Sequence, residues 1–260
     1  MMIGSAWRFI DSGIQAASWN MAIDEALLSG FKEGDLPIFR LYGWENALSF
    51  GRFSTFSNNL NREKIYAQKI SCVRRMSGGG VLVHGSDLSY TLILPRDWLR
   101  EKGVKESYRE VCRFLITLYN KLGFNAQFAS DLELTEHRSD ICLAGIQAYD
   151  IVIEGKKMGG NAQRHTHTAL FQHGSIPMRI DEGFFNPFFR EDSGLGRAAS
   201  LEKLGTVITY EELYPLVKEA FCETFKTKLV SDILSLSEER RSRELYADKY
   251  TQASWTYHDE

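Results

Sequence analysis

The chain has 260 residues, of which 43% are hydrophobic and 25% are charged, enough to form a substantial core. Its net charge of −3 excludes a strong overall basic field of the kind that binds nucleic acid. No apolar run is long enough to span a membrane, and residues 1–8 lack the apolar segment of a signal peptide. The four widely spaced cysteines favour a reduced, cytoplasmic protein over a disulfide-bonded one.

The first part of the chain predicts short strands mixed with helices. Apolar side chains at helical spacing predict a helix at residues 20–31, and a short helix is expected at 62–68. Apolar runs and alternation predict strands at residues 7–11, 37–42, 47–50, 81–83 and 88–94. The turn residues Gly85 and Ser86 favour a hairpin between the last two of these strands.

Two later helices are predicted from their capping residues. Ser107 and Glu110 have the spacing of a capping box at the start of a helix over residues 107–122. Thr209 and Glu212 repeat the same spacing before an apolar stripe. Both stripes are typical of helices that pack on a sheet.

Between these helices the pattern returns to strands. Residues 149–153 predict a strand, Glu154 and Gly155 a two-residue turn, and Lys156 the start of the partner strand. A further strand is expected at residues 168–176.

The order of elements determines the predicted fold class. Strands and helices are mixed without strict alternation, which predicts an α+β fold with a mixed sheet and packed helices. No linker is evident, so we expect a single domain over residues 1–260. Residues 206–260, with a last helix at 237–249, could form a small C-terminal helical lobe.

A glycine-rich segment is the strongest candidate for a binding site. Gly78, Gly79 and Gly80 have no side chain, so a ligand can approach the backbone and successive N–H groups can form a nest. Arg74 and Arg75 precede the loop and offer permanently charged donors, and His84 follows it. The alternative is a tight hairpin with incidental arginines.

Other candidate residues carry weaker signals. Lys156 and Lys157 point to opposite faces of a strand, so one could face a pocket and stabilise an oxyanion. Cys142 could be a nucleophile if basic groups lower its pKa, or a small buried apolar residue. His165 and His167 share a strand face, but nothing completes a metal site, so none is expected.

The segment Arg74-Arg75-x-Ser77-Gly78-Gly79-Gly80, followed by a strand and His84, resembles the signature loop of the biotin/lipoate protein ligase superfamily. Further segments in the same order resemble the family along nearly the whole chain, at residues 7–13, 20–28, 41–44, 155–163 and 172–176. The resemblance implies the catalytic fold of the lipoate and biotin protein ligases.

The resemblance also implies site residues. Cys142 and Lys157 would be catalytic, because the cysteine-dependent octanoyltransferases of the family have a cysteine fifteen residues before this lysine, as here. The implied substrate-binding residues are Arg74, Arg75, Ser77, Gly78, Gly79, Gly80, His84, Gly160, Asn161, Ala162 and His173.

Three functions follow as expectations. The first is transfer of octanoate from acyl carrier protein, through a thioester on Cys142, to a lysine of a lipoyl domain or the glycine-cleavage H protein, with no cofactor. The second is an ATP- and Mg²⁺-dependent lipoate–protein ligase that forms lipoyl-AMP, with Lys157 contacting the adenylate. The third is a non-catalytic protein that binds acyl carrier protein or lipoyl domains. Neither nucleic acid nor a membrane is an expected partner.

Overall fold

The computed structural model describes residues 5–54, 59–99, 102–132, 145 and 147–257. The predicted nucleophile Cys142 lies outside these residues. The described strands are β1 (Ala6–Gln15), β2 (Ile38–Trp44), β3 (Ala47–Phe50), β4 (Ser71–Arg74), β5 (Val81–His84), β6 (Asp87–Pro95), β7 (Gln127–Phe128), β8 (Ile151–Ile153), β9 (Lys156–Lys157), β10 (Gly160–His165), β11 (Ala169–Pro177) and β12 (Lys228–Asp232). The described α-helices are α1 (Ala17–Gly30), α2 (Arg62–Ala67), α3 (Val104–Lys121), α4 (Glu182–Phe185), α5 (Tyr210–Phe225), α6 (Leu236–Leu245) and α7 (Ala253–Thr256).

The largest sheet in the described part of the chain has six strands in the order β10-β11-β6-β2-β1-β12. β1 runs parallel to β2 and β12, whereas the remaining neighbours are antiparallel. The sheet is therefore mixed, and the predicted α+β fold with packed helices is confirmed. None of the described helices is long and apolar enough to cross a membrane.

Successive side chains of β2 face the main apolar core on one side of the strand and a group of buried polar residues on the other. Phe39 and Leu41 belong to the main core, where Phe39 stacks on Phe221 of α5 with ring centroids 4.2 Å apart. Arg40 and Tyr42 point to the opposite face, toward α1. Successive side chains of a strand face opposite sides, so one strand supports both layers.

The glycine loop connects β4 to β5, the two outer strands of a second sheet with the strand order β4-β3-β5. β3 lies between the other two strands, parallel to β4 and antiparallel to β5. The glycine loop therefore crosses the end of β3 and is not a tight hairpin. The predicted hairpin between residues 81–83 and 88–94 is also wrong, because β6 pairs with β2 and β11 in the large sheet.

The predicted hairpin at Glu154 and Gly155 is confirmed by the pairing of β8 with β9. Both turn residues have positive φ, 52° and 73°, as a two-residue type I′ turn requires. β8 begins at Ile151 rather than at residue 149, because Asp150 forms a turn in which its carboxylate accepts from the N–H of Gln147.

Only one of the two predicted capping boxes lies at the start of its helix. The box of Thr209 and Glu212 caps α5 as predicted. The box predicted at Ser107 is wrong, because α3 begins at Val104 and the Ser107 hydroxyl donates to the carbonyl of Lys102.

The C-terminal residues differ from their prediction. The predicted helix at 237–249 is instead α6, capped by Ser235 and Glu238, followed by a π-helical turn at Tyr246–Tyr250. β12 was not predicted, because it is an edge strand with mostly exposed side chains and no apolar alternation. Through β12, part of the predicted C-terminal lobe at residues 206–260 is hydrogen-bonded to β1 as the edge of the large sheet. Organisation as a single domain stays a prediction.

Candidate active site

A narrow cavity of about 20 Å³ lies where the six-stranded sheet meets the sheet of β4, β3 and β5. It contains several of the predicted binding residues, namely Arg75, His84, Gly160, Asn161, Ala162 and His173. Its other lining residues, which the sequence did not single out, are Tyr42, Trp44, Leu82, Ser89, Gly174 and Ser175. Residues up to 133 positions apart, Tyr42 and Ser175, are thus brought together where β2, β5, β6, β10 and β11 lie close to one another.

The glycine loop is held against the end of β3. The N–H of Arg52 donates to the carbonyl of Ser77 at 2.7 Å, and the N–H of Gly51 donates to the carbonyl of Gly80 at 3.2 Å. A Cβ on Gly51 would lie 1.8 Å from the carbonyl oxygen of Gly79, so only glycine permits this approach. Gly79 itself has a φ of 101°.

Arg75 stabilises the loop from inside the protein. Its guanidinium donates to the carbonyl of Gly80 at 2.8 Å and to that of Gly78 at 3.3 Å. It also donates to the carbonyl and hydroxyl of Ser49 on β3, at 2.8 and 2.7 Å. A planar guanidinium can make these bonds at once, whereas a lysine could not cover them all.

Ser49 connects Arg75 to a buried histidine and carboxylate. Its hydroxyl lies 2.8 Å from His84 Nε2, and His84 Nδ1 lies 2.9 Å from Asp87 Oδ2. The indole of Trp44 stacks on the His84 ring at 3.9 Å between centroids. Burial raises the pKa of Asp87, but His84 and the hydroxyl of Ser175 outweigh it and hold the pKa below its usual value.

A second histidine supports the loop from the other side. His173 Nε2 lies 2.5 Å from the hydroxyl of Ser77, and His173 Nδ1 lies 3.4 Å from Asp24 of α1. Asp24 forms a fully buried ion pair with Arg40 at 2.7 Å. Burial lowers the pKa of His173 more than Asp24 raises it, which favours the neutral imidazole.

Asn161 marks the boundary between the cavity and the core. Its side-chain oxygen accepts a hydrogen bond from the hydroxyl of Tyr90 at 2.7 Å. A Cβ on Gly174 would lie 2.0 Å from this oxygen, so glycine leaves room for the bond. The side-chain amide of Gln172 extends this series of hydrogen bonds by donating to the hydroxyl of Tyr90 and to the sulfur of Cys112.

Lys157 is the buried one of the two lysines, and it is not among the residues that line this cavity, so its predicted position facing a pocket stays a prediction. Its side chain is 6% exposed and its Nζ lies 2.7 Å from Asp150 Oδ2, whereas Lys156 is exposed. The short β9 strand turns one lysine inward and the other outward. Gly159, with a φ of 76°, follows and allows β10 to approach Ser175.

Arg74 lies in a different environment from Arg75. Its guanidinium donates to the carbonyls of Trp255 and Thr256 near the C-terminus, at 3.2 and 3.1 Å. It also donates to the carbonyl of Gly51 at 3.1 Å. The structure therefore surrounds it with backbone oxygens, and its predicted role in binding substrate stays a prediction.

The family model for the lipoyl protein ligase A/B catalytic domain matches residues 16–222. The chain belongs to this family. A relative from Kyrpidia tusciae, named octanoyltransferase LipM, is 33% identical over 96% of this chain and 98% of its own length. Another LipM, from Halalkalibacterium halodurans, is 31% identical over the same shares.

Solved structures agree at the level of the fold. A crystal structure of lipoate-protein ligase A bound with ATP superposes with a TM-score of 0.84, at 21% identity, covering 97% of this chain and 98% of that one. The superfamily predicted from the sequence motifs is confirmed, and the chain is an enzyme of the octanoyltransferase and lipoate ligase family.

The sequence analysis does not identify several residues that support this candidate site. Asp24, Arg40, Ser49 and Asp87 hold the glycine loop and its histidines. Polar residues inside otherwise apolar strands, such as Arg40 in β2, are the signal that could have revealed them, because buried charges need partners.

Proposed function

We propose that this enzyme transfers an octanoyl group from acyl carrier protein to a lysine of a lipoyl domain or glycine-cleavage H protein, through a thioester on Cys142. Octanoyl transfer in protein lipoylation is supported by the octanoyltransferases that match nearly the full chain. The single observation that carries the assignment is this full-length match.

The proposed reaction has two steps. The Cys142 thiolate attacks the thioester carbonyl, and the carrier thiol leaves with a proton. The acceptor lysine, as a free amine, then attacks the Cys142 thioester, the carbon–sulfur bond breaks as the amide bond forms, and Cys142 leaves as the thiolate. The proton lost by the amine nitrogen is released to solvent, which balances the proton that the carrier thiolate takes up from solvent in the first step. Both steps pass through an oxyanion, which the buried Lys157 ammonium is suited to stabilise. Because the donor is already a thioester, neither ATP nor a metal ion is required.

The cavity is the proposed site for the acyl chain. Leu82 and the ring of Trp44 provide apolar walls, and Arg75, which holds the carbonyl of Gly80 in the glycine loop, also lines the cavity. The resemblance to the family implies that the glycine loop, whose Gly80 carbonyl is held by Arg75 from the cavity, covers the acyl chain. Acyl binding thus depends on where this loop is held.

Intact mass measurement tests the proposal. The protein is mixed with octanoyl-acyl carrier protein without ATP, and we expect an adduct of octanoyl mass on Cys142. Cys142→Ala should give no adduct and no transfer, and Cys142→Ser little transfer, because a serine hydroxyl is hardly ionised at neutral pH. Burial raises the pKa of Cys72 and Cys112 to about 12, so neither thiol competes.

Cys222→Ala is the matched control, because Cys222 lies on α5 away from the cavity, and it should behave like the unchanged protein. Cys142→Ala protein that still lipoylates an acceptor, and only with ATP and Mg²⁺, would establish the ligase alternative instead. Absence of both activities in the unchanged protein would contradict the proposed reaction.

A further inference from the structure

The last described residues of the chain, 249–257, form a segment that we call the C-terminal clamp. Its first part is fastened to α1: Lys249 Nζ lies 2.6 Å from a carboxylate oxygen of Glu25, and the hydroxyl of Tyr250 donates to the same oxygen. The Lys249 ammonium also lies over the ring of Trp255, 3.9 Å from its centroid. The ammonium thereby joins the two ends of the clamp.

The clamp is joined to β4 by hydrogen bonds in both directions. The indole N–H of Trp255 donates to the carbonyl of Arg74 at 3.0 Å, and the Arg74 guanidinium donates to the carbonyls of Trp255 and Thr256. Arg74 is fully buried, with 0% of its surface exposed. A buried guanidinium without acceptors is strongly destabilising, so these carbonyls are needed where they are.

The same guanidinium also holds the segment that supports the glycine loop. It donates to the carbonyls of Gly51 and Ser54, at 3.1 and 2.5 Å. This segment in turn donates from Arg52 N–H to the carbonyl of Ser77, and Gly51 lies against Gly79. An unbroken path of contacts therefore runs from the C-terminal clamp, through Arg74, to the glycine loop, whose Gly80 carbonyl is also held by Arg75, a lining residue of the cavity.

From this path we propose that the C-terminal clamp sets the position of the glycine loop for acyl binding, with Arg74 and Trp255 as positioning residues. The inference rests on the proposed octanoyl transfer. The two adjacent arginines have separate roles, because Arg75 holds the loop carbonyls directly, whereas Arg74 holds the backbone against which the loop rests. This role of Arg74 does not require contact with the substrate.

Steady-state kinetics with octanoyl-acyl carrier protein test the inference on the full chain. Trp255→Phe removes the indole N–H but keeps an aromatic ring. We expect its KM for the donor to rise about fivefold, the effect of one lost hydrogen bond, with kcat within about twofold. Arg74→Lys, which keeps the charge but loses the planar fork, should raise KM further. Ser254→Ala, an exposed neighbour within the clamp, is the control and should leave both constants unchanged.

The split between KM and kcat separates positioning from general destabilisation. A variant that is merely less stable has fewer active molecules, which lowers the apparent kcat and leaves KM unchanged. That pattern, or an unchanged KM in both variants, would overturn the inference. The adduct on Cys142 of the unchanged protein is measured in parallel, so failure of the proposed function is recognised separately.

Discussion

At the scale of single residues, the ion pair between Lys157 and Asp150 determines what the lysine can do. Both side chains are buried, and the 2.7 Å contact compensates for the loss of hydration. An ammonium fixed in this way is a stationary positive charge. It suits the stabilisation of a developing oxyanion, since the charge is already oriented before the reaction.

Replacement of Lys157 is predicted to abolish transfer. Lys157→Ala removes the ammonium, and we expect a loss in kcat of about 10²–10³-fold, the effect of removing one oxyanion-stabilising group. Because the variant also leaves Asp150 unpaired, the double variant Lys157→Ala/Asp150→Asn is made alongside to restore stability. Thermal unfolding and transfer assays are run on both variants.

Lys156→Ala is the matched control, because the neighbouring lysine is exposed and should be dispensable. If the Lys157→Ala protein retained full activity, Lys157 would not belong to the catalytic site.

At the scale of elements, the glycine loop depends on close backbone contact with the end of β3. The two strands that flank the loop both pair with β3, so the loop crosses its end and meets Gly51 there. Two glycines of the loop thus differ in what they contribute: Gly79 supplies a positive φ, whereas a Cβ on Gly78 would meet open space.

Alanine substitutions at two glycines separate packing from ligand approach. Gly51→Ala places a Cβ 1.8 Å from the Gly79 carbonyl, so the loop must shift. We expect reduced thermal stability and an increased KM for the acyl donor. Gly78→Ala has no neighbour within 4 Å, and we expect unchanged stability by thermal unfolding.

Activity of the Gly78→Ala protein then reports on the ligand. A raised KM at unchanged stability would mean that the acyl group occupies this space. The element-scale explanation fails if Gly51→Ala behaves like the unchanged protein.

At the scale of the whole molecule, stability depends on pH through buried polar groups. His173 is 5% exposed, and burial lowers its pKa below the ordinary 6.5. The unfolded chain therefore binds more protons than the folded one as the pH falls below about 6.5. The groups that face His173 are Asp24 on α1, Arg75 after β4 and His84 on β5, and only Asp24 favours its protonation.

The contribution of buried, neutral His173 to the free energy of unfolding should therefore be at its full value above pH 6.5 and decrease as the pH is lowered from there. Urea titrations at pH 7.5 and 5.5 measure this change. His173→Gln should reduce the difference between the two pH values, since it removes one of the titrating groups. His167→Gln, at an exposed histidine, should keep it. A difference that is equal in all three proteins would exclude His173 as its source.

The sequence by itself determined the local features of this protein. The Glu154 and Gly155 turn and the Thr209 cap were predictable, because each depends on residues within a few positions of one another. The superfamily was also predictable, since its motifs are contiguous segments such as residues 74–80. Lys157 as the inward lysine follows from strand alternation together with the resemblance.

Only the tertiary structure decided which distant groups meet. Asp24 lies on a helix and His173 on a strand 149 positions later, and no local pattern joins them. β5 pairs with β3 and does not form the predicted hairpin with β6. Its partner is therefore determined by long-range strand pairing and not by the turn at Gly85. Arg74 and Arg75 are adjacent in sequence, yet one contacts the C-terminus and the other the loop. The physical reason is that buried charges and unpaired backbone groups are satisfied by whatever the fold brings near, which sequence distance does not encode.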